Sequence, residues 1–328
     1  MTCVTHAPVA LLDETACLGG ARCGLCVARC PEHAIAAGAP GPRIDPAACT
    51  ACGECSPGCP SGALHPAGTP LAGVQAQLQA LLTGGMTAIL IACVAAGAVA
   101  PPGWALVEVP TLAIVTPGWI LQLRARGVDV ALAPCPQACC RSAHELDMVT
   151  ARIAASPVRG EPAMREPIRL REPGATVDAT LALSDPESTL VLASCASPVG
   201  VLAVDESACT ICGACAASCP TGALALRESD GRIALHHDPA LCIGCHRCQV
   251  TCPEHALDVR SEIDVPRLWR GSGELMHADP QRCTVCAAAL TPPADAPPAQ
   301  RAARRSGCPA VVVRRLRATR STPCWPPA

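Results

Sequence analysis

Residues 209–224 read CTICGACAASCPTGAL: four cysteines stand at intervals of three, three and four residues, and a proline follows the last. The same spacing returns at 49–64, CTACGECSPGCPSGAL, and at 242–257, CIGCHRCQVTCPEHAL. A looser copy lies at 17–35, CLGGARCGLCVARCPEHAI, with five residues between its first two cysteines. This repetition predicts four copies of one loop whose thiols face a common centre.

The composition narrows the class of protein. Cysteine supplies 26 of 328 residues, and the formal net charge is −2. The first residues show no basic and apolar leader pattern, so we predict a reducing, cytoplasmic location, where thiols are metal or redox ligands more often than disulfides. Without a strong basic excess, nucleic acid is not the expected partner. The apolar run 86–100 is shorter than the ~20 residues of a spanning helix, which predicts a buried strand and no integral membrane span.

The spacing C-x2-C-x2-C-x3-C-P resembles that of the bacterial two-cluster ferredoxins. Three cysteines of one loop can converge on a [4Fe–4S] cubane, whereas the fourth lies too far along the chain to close the same cube. In that family the fourth cysteine ligates the other cluster of the pair. The alternative is zinc, which proteins usually hold with two CxxC pairs, and these repeats differ from that pattern.

The resemblance implies two modules with two [4Fe–4S] clusters each. In the second module the ligand sets are Cys209, Cys212, Cys215 with Cys252, and Cys242, Cys245, Cys248 with Cys219. In the first module they are Cys49, Cys52, Cys55 with Cys30, and Cys17, Cys23, Cys26 with Cys59. The last set departs from the pattern, because Gly20 stands where the first ligand is expected. Either Cys17 reaches in from a longer loop, or Cys3 substitutes, or the cluster is incomplete; we predict that Cys17 ligates.

Two smaller patterns accompany the repeats. The residues after the fourth cysteines are CPEHA at 30 and 252 but CPSGA or CPTGA at 59 and 219. These related tails predict one shared loop geometry, in which His33 and His255 face solvent rather than metal. Between the second pair of loops, ALALRESDGRIALHHDP predicts a β-hairpin that turns at Ser-Asp-Gly.

The segment 86–140 alternates apolar strands with one helix, which begins after Thr116 and ends at Gly127. This alternation predicts a small parallel α/β sheet with Cys93, Cys135, Cys139 and Cys140 near its strand ends. The segment from ILIAC to CPQACC resembles the iron–sulfur (delta) subunit of F420-nonreducing hydrogenases, which carries a [2Fe–2S] site and passes electrons toward heterodisulfide reductase. The chain departs from that family where Thr111 replaces a cysteine and Cys93 lacks a nearby second thiol. We therefore expect a docking domain whose cysteines bind no metal.

The remaining segments are irregular in sequence. Residues 151–203 are rich in Arg, Glu and Pro and predict a linker or edge segment. The tail contains four irregularly spaced cysteines that could form a structural zinc site: Cys283, Cys286, Cys308 and Cys324. Its Arg-rich stretch 301–320 could dock an acidic redox partner or nucleic acid, but a solvated tail is the favoured interpretation.

The whole chain is thus predicted to be α+β, with two ferredoxin-like dicluster modules flanking a small parallel α/β domain. The predicted segments are 1–70 and 204–262 for the modules, 71–150 for the α/β domain, 151–203 for the linker and 263–328 for the irregular tail. The predicted function is electron relay for a redox partner, namely a flavoprotein, hydrogenase or dehydrogenase subunit, without a small-molecule substrate. Two alternatives stay open. One is a redox enzyme that uses Cys135, Cys139 and Cys140, with Arg141 and His144 lowering a thiol pKa; the other is a structural or nucleic-acid-binding iron–sulfur protein.

Overall fold

The computed structural model describes residues 10–19, 23–65, 71–134, 143–154, 167–170, 172–193, 199–229 and 232–278. The chain divides into two compact units, the first made of 1–202, 238–247 and 259–271 and the second of 203–237, 248–258 and 272–328. Helices and strands both occur, and the strands include a small parallel sheet, so the α+β class is confirmed. Within the described part of the chain, no helix has the length and apolar character needed to cross a bilayer.

The first unit begins with very short elements around the first two cysteine repeats. They are β1 (Leu11–Leu12), α1 (Leu25–Arg29), β2 (Ile35–Ala36), β3 (Arg43–Ile44) and β4 (Leu64–His65). β1 pairs antiparallel with β4, and β2 pairs antiparallel with β3. Each strand that follows a fourth cysteine therefore pairs with the strand that precedes the first cysteine of the other repeat.

A three-stranded parallel sheet follows in the same unit. Its elements are α2 (Leu71–Thr83), β5 (Ala88–Cys93), β6 (Ala105–Val109), α3 (Pro117–Arg124) and β7 (Asp129–Ala133). The strand order is β6-β5-β7, which confirms the predicted parallel α/β sheet. The predicted helix is also confirmed: Thr116 is its N-cap residue and Gly127 follows it with a φ of 77°, but the Thr116 side chain forms no capping bond.

The segment expected to be a linker contributes to the core of this unit. It contains the end of α4 (Ala143–Ala154), then α5 (Pro173–Ala182) and β8 (Val191–Ala193). In α5, Val177 and Ala179 are buried, and α5 packs against α3. The Thr180 hydroxyl donates to the Thr176 carbonyl at 2.7 Å, which satisfies a buried polar group inside the helix. α5 differs from the predicted linker because a core helix of Ala, Val and Thr lies within a segment that is otherwise rich in Arg, Glu and Pro.

The second half of the chain adds elements to both units. They are β9 (Val201–Val204), α6 (Ala214–Ser218), β10 (Leu224–Ser229), β11 (Arg232–His237), α7 (Arg247–Thr251), β12 (Leu257–Arg260), β13 (Glu262–Asp264), α8 (Val265–Arg270) and β14 (Gly273–Ala278). β9 lies beside β12, and β13 pairs antiparallel with β8. The antiparallel pairing of β10 with β11 confirms the predicted hairpin, although its residues 230 and 231 lie outside the described residues.

The hairpin is extended by a strand that the sequence did not predict. β14 pairs antiparallel with β11, giving the order β10-β11-β14. The start of the segment assigned to an irregular tail is therefore ordered as α8 and β14. Asp264 caps α8, where its carboxylate accepts from the Arg267 amide at 2.9 Å. The six residues GELMHA show no period-2 alternation of apolar and polar residues, so the sequence carries no signal for this strand.

Candidate metal centres

Each cysteine repeat is preceded by an aspartate four residues before its first cysteine. These residues are Asp13, Asp45, Asp205 and Asp238. The backbone amide of the cysteine donates to the carbonyl of this aspartate at 3.1 Å for Cys17, 3.0 Å for Cys49 and 3.0 Å for Cys209. Cys17 therefore occupies the same structural position as the first cysteines of the regular repeats. This D-x3-C pattern is visible in the sequence, but the spacing between cysteines alone does not indicate it.

The same aspartates join each repeat to its partner. The Asp13 amide donates to the Ala63 carbonyl at 2.8 Å, and Asp45 bonds Ala34 at the same distance. In the second module the Asp205 amide donates to the Ala256 carbonyl, also at 2.8 Å. Each alanine lies four residues after a fourth cysteine, so each bond brings that cysteine beside the first three cysteines of the other repeat. This backbone geometry fits ligation across the pair.

The loops share their backbone conformation at equivalent positions. The residue after the second cysteine has positive φ in all four repeats: 67° at Gly24, 84° at Gly53, 76° at Gly213 and 58° at His246. The third residue after the fourth cysteine does too, with 51° at His33, 68° at Gly62, 71° at Gly222 and 51° at His255. Histidine tolerates this left-handed region better than most residues with a side chain. The predicted common loop geometry is confirmed, and His33 and His255 are exposed as predicted.

Two of the predicted ligand sets line cavities. Cys17, Cys23, Cys26 and Cys59 line one cavity in the first unit. Cys209, Cys212, Cys215 and Cys252 line another in the second unit. In each cavity three cysteines come from one repeat and the fourth comes from its partner. Cys3, the other candidate for the first site, lies outside the described residues.

The cysteines of a third set lie close enough to affect one another's pKa. Burial, followed by the charges of Cys52 and Cys49, raises the pKa of the Cys55 thiol to about 12. Burial is also the main reason why the pKa of Cys52 is raised, and the charge of Cys30 adds to it. Cys26 from the neighbouring set contributes to the shift at Cys55 as well, which makes the two sites of the first module neighbours. Of the fourth set, Cys242 and Cys245 belong to the first unit and Cys248 and Cys219 to the second.

These surroundings suit a group that supplies positive charge. Burial and nearby thiolates raise the pKa of Cys26 to about 11 and that of Cys215 to about 12, so without a cation these thiols stay protonated. A metal bound by these cysteines would displace those protons, because only a thiolate is a ligand. Among the described residues, no three His, Cys, Asp or Glu side chains converge on a single ion.

Hydrogen-bonding groups lie beside the sulfur of the fourth cysteine in each repeat. The Ala34 amide donates to Cys30 Sγ at 3.2 Å, and the Ala256 amide donates to Cys252 Sγ at 3.4 Å. In the other two tails a hydroxyl lies beside the sulfur: Ser61 Oγ is 3.7 Å from Cys59 Sγ, and Thr221 Oγ1 is 3.7 Å from Cys219 Sγ. Burial alone would raise the pKa of Cys219, but hydrogen bonds from the Leu224 amide and the Thr221 hydroxyl, among others, lower it.

An ion pair links the two loops of the first module. Arg29 Nη2 lies 3.6 Å from Glu54 Oε2, and Arg29 Nε donates to the Glu54 carbonyl at 3.1 Å. Both side chains are mostly buried, at 14% and 8% exposure. This pair was not predicted from the sequence, although opposite charges inside two partnered cysteine loops could have indicated it.

The parallel sheet contacts the first module through Thr111. The Thr111 hydroxyl donates to the Cys52 carbonyl at 3.2 Å and accepts from the Ala113 amide at 3.2 Å. A Cβ added at Gly53 would stand 2.7 Å from Thr111 Cγ2, so the cluster loop and the sheet are in close contact. Thr111 therefore joins the parallel sheet to the cysteine loop.

The structure places the other sequence-predicted cysteines as follows. Cys93 is fully buried, and its thiol donates to the Pro110 carbonyl at 3.4 Å. Cys135, Cys139, Cys140 and Arg141 lie outside the described residues, and only the backbone of His144 is described, in α4. The proposed zinc ligands Cys283, Cys286, Cys308 and Cys324 also lie outside the described residues.

Comparisons with known proteins agree with this geometry. A family model described as a 4Fe-4S dicluster domain matches residues 208–256, and one described as a 4Fe-4S binding domain matches residues 42–65. No curated protein shows significant similarity to the chain. The chain thus carries two ferredoxin-type [4Fe–4S] domains, and these domains indicate an iron–sulfur electron-transfer protein.

Proposed function

We propose that this chain is an electron relay that carries four [4Fe–4S] clusters on the ligand sets predicted above and serves an oxidoreductase partner. The observation that carries the proposal is the pair of cavities, each lined by three cysteines of one repeat and the fourth of its partner. With four sulfur ligands a cluster has no open coordination position, so when bound it supplies one-electron transfer and no bond chemistry.

The protein's own residues support this function by shielding and positioning. Leu12 and Leu64 line the first cavity, and Leu226 and Leu235 line the second, so the sites are bounded by apolar side chains. Backbone amides donate to the sulfurs of Cys30 and Cys252, which helps to set the potential. The electrostatic interaction of Cys26 with Cys55 supports a short step between the two sites of the first module.

The partner is proposed from the number of sites. A flavoprotein, hydrogenase or dehydrogenase subunit releases electrons in pairs, and several one-electron sites can take such a pair in two successive steps. The parallel α/β domain, with its resemblance to the hydrogenase delta subunit, would serve as the docking domain. Its Thr111 contact with the Cys52 loop supports a role beside the first module. A cytoplasmic location follows from the thiol content and remains part of the proposal.

The proposal is tested on protein purified without oxygen. Four cubanes predict about 16 iron atoms and about 16 sulfides per chain, with several reversible low-potential couples in an EPR-monitored titration. A colourless, folded protein that contains zinc and no sulfide would contradict it. Clusters that lose iron rather than undergo reversible reduction would support the structural alternative instead.

A further inference from the structure

We propose that the hydroxyls of Ser61 and Thr221 decide which cluster of each module is reduced first. In each module, the cluster closed by the hydroxyl-bearing tail takes an electron before the cluster closed by the CPEH tail. This inference rests on the proposed function. It concerns the tuning of the clusters by the chain's own residues and uses an asymmetry that occurs independently in both modules.

The contacts have the same geometry in both modules. Ser61 Oγ lies 3.7 Å from Cys59 Sγ, and Thr221 Oγ1 lies 3.7 Å from Cys219 Sγ. Each hydroxyl stands two residues after its cysteine, in the tails CPSG and CPTG. A cysteine that binds iron has lost its proton and can only accept, so the hydroxyl must be the donor. A hydrogen bond to a charged acceptor is stronger than one between neutral groups.

The partner tails carry a carboxylate at the equivalent position. Glu32 follows Cys30 and Glu254 follows Cys252, again by two residues. Glu254 lines the same cavity as Cys252. The two cysteine sulfurs in these tails accept hydrogen bonds from the backbone amides of Ala34 and Ala256. The residue two positions after each of these cysteines is an acid and not a hydroxyl donor. Each module therefore pairs one tail of each kind.

The direction of the effect follows from charge. Reduction adds one negative charge to a cluster and its sulfurs. A hydroxyl donor at the sulfur stabilises that charge and raises the reduction potential, whereas a nearby carboxylate opposes it and lowers the potential. The site closed by Cys59 is therefore reduced before the site closed by Cys30. In the second module the site closed by Cys219 is reduced before the site closed by Cys252.

The test is an EPR-monitored redox titration of the full-length, cluster-loaded protein. Ser61→Ala and Thr221→Val remove the hydroxyls with little change of shape. Each should lower the reduction potential of one couple and leave the other potentials unchanged. The expected shift is a roughly tenfold change in the reduction equilibrium, which is 59 mV for a one-electron couple. Ser61→Thr and Thr221→Ser keep a hydroxyl and should retain the wild-type potentials, which a merely steric role would not require.

A second pair of variants tests the other tail. Glu32→Gln and Glu254→Gln keep the shape of the side chain but remove its charge, so each should raise the reduction potential of one couple. That couple should differ from the one whose potential falls in the hydroxyl variant of the same module. Unchanged couples in the hydroxyl variants at full iron content would overturn the inference while leaving the proposed relay intact. If a hydroxyl variant fails to hold iron, the glutamine variants decide, and couples that do not rise overturn it. Wild-type protein without iron and sulfide would instead overturn the proposed function.

Discussion

At the scale of single residues, Gly53 tests the contact between the cysteine loop and the parallel sheet. Its φ of 84° lies in the left-handed region, and an added Cβ would meet Thr111 Cγ2 at 2.7 Å. We expect Gly53→Ala to lower the free energy of unfolding by about 1–2 kcal/mol for the backbone conformation and by about 1–3 kcal/mol more for the overlap. Chemical denaturation of the loaded protein, followed by cluster absorbance, measures the sum.

Gly24 provides the matched control for this substitution. It follows the second cysteine of its own repeat and has a φ of 67°, and no atom of the described residues lies within 4 Å of an added Cβ. Gly24→Ala should therefore lose only the conformational part. Adding Thr111→Ser to Gly53→Ala removes the methyl group and keeps the hydroxyl, so it should restore the steric part. Equal losses for Gly24→Ala and Gly53→Ala would mean that the sheet does not press on the loop.

Cys17 is the residue on which the count of clusters depends. Because its amide bonds Asp13 as the first cysteines of the regular repeats bond their aspartates, and because it lines the cavity with Cys23 and Cys59, we expect it to ligate. Cys17→Ser should reduce the iron content from about 16 to about 12 atoms per chain. Cys3→Ser is the control and should leave the iron content unchanged. The opposite result would assign the ligand to Cys3.

For single residues, the cysteine spacing predicts some features of the candidate sites and not others. The spacing alone indicated the ligand type, the pairing of repeats and the exposure of His33 and His255. It could not show that Thr111 bonds the Cys52 carbonyl, because the two residues are far apart in sequence and neither is unusual by itself. The aspartates before each repeat were visible as D-x3-C, but their meaning depends on hydrogen bonds to the partner repeat.

At the scale of elements, the pair of Arg29 in α1 and Glu54 fixes the two loops of the first module to each other. Both side chains are largely buried, so removing one charge takes from the other the opposite charge of this ion pair. We expect Arg29→Met to cost about 3–5 kcal/mol in the free energy of unfolding. The double variant Arg29→Met with Glu54→Leu removes both charges and should be much closer to wild type, since an apolar pair of similar volume avoids the desolvation cost. Denaturation of the loaded proteins compares them.

If the Arg29–Glu54 ion pair contributes little to the free energy of unfolding, the variants would behave differently. If Arg29→Met and the double variant unfold at the same denaturant concentration as wild type, the ion pair is not needed to join the loops. If both variants are equally destabilised, shape rather than charge is responsible. Either result would contradict the prediction.

Elements were predictable where their sequence period is clear. The parallel strands, α3 with Thr116 and Gly127 at its ends, and the β10–β11 hairpin all follow from apolar runs and turn residues. α5 was missed because its buried face consists of Ala, Val and Thr, and one of the two threonine hydroxyls, that of Thr180, bonds within the helix. β14 was missed because its place in a sheet depends on β11, not on its own six residues.

At the scale of the whole molecule, the sharing of each site between two repeats can be tested by combining substitutions. Cys30 and Cys52 should belong to one site, whereas Cys30 and Cys26 should belong to two. We therefore expect Cys30→Ser and Cys52→Ser each to lose about four iron atoms, and their combination also to lose about four. The combination of Cys30→Ser with Cys26→Ser should lose about eight.

The pattern of losses distinguishes the two ways of closing a site. If each repeat closed its own cube, Cys30 with Cys26 would lose about four iron atoms and Cys30 with Cys52 about eight. The iron and sulfide assays need no partner protein, so the outcome does not depend on knowing the donor or the acceptor. The same reasoning applies to Cys252, Cys212 and Cys248 in the second module.

Of the whole molecule, the sequence predicted the α+β class, the iron–sulfur domains and the parallel sheet. The ligand sets, the number of clusters, the partner and the domain limits remain predictions. The division into compact units could not be read from sequence, because residues 238–247 and 259–271 group with the first unit although they follow the start of the second cysteine pair. Such grouping arises from contacts between distant segments, which spacing and periodicity do not encode.

The hydrogen bonds from Asp13 to Ala63 and from Asp45 to Ala34 have a consequence for how such a chain can evolve. A lone repeat would leave its aspartate amide and its alanine carbonyl without their hydrogen-bond partners, and its cluster site would lack the fourth cysteine ligand. Gene duplication or deletion that changes the number of repeats by one should therefore yield a defective protein. Viable descendants would gain or lose these loops two at a time.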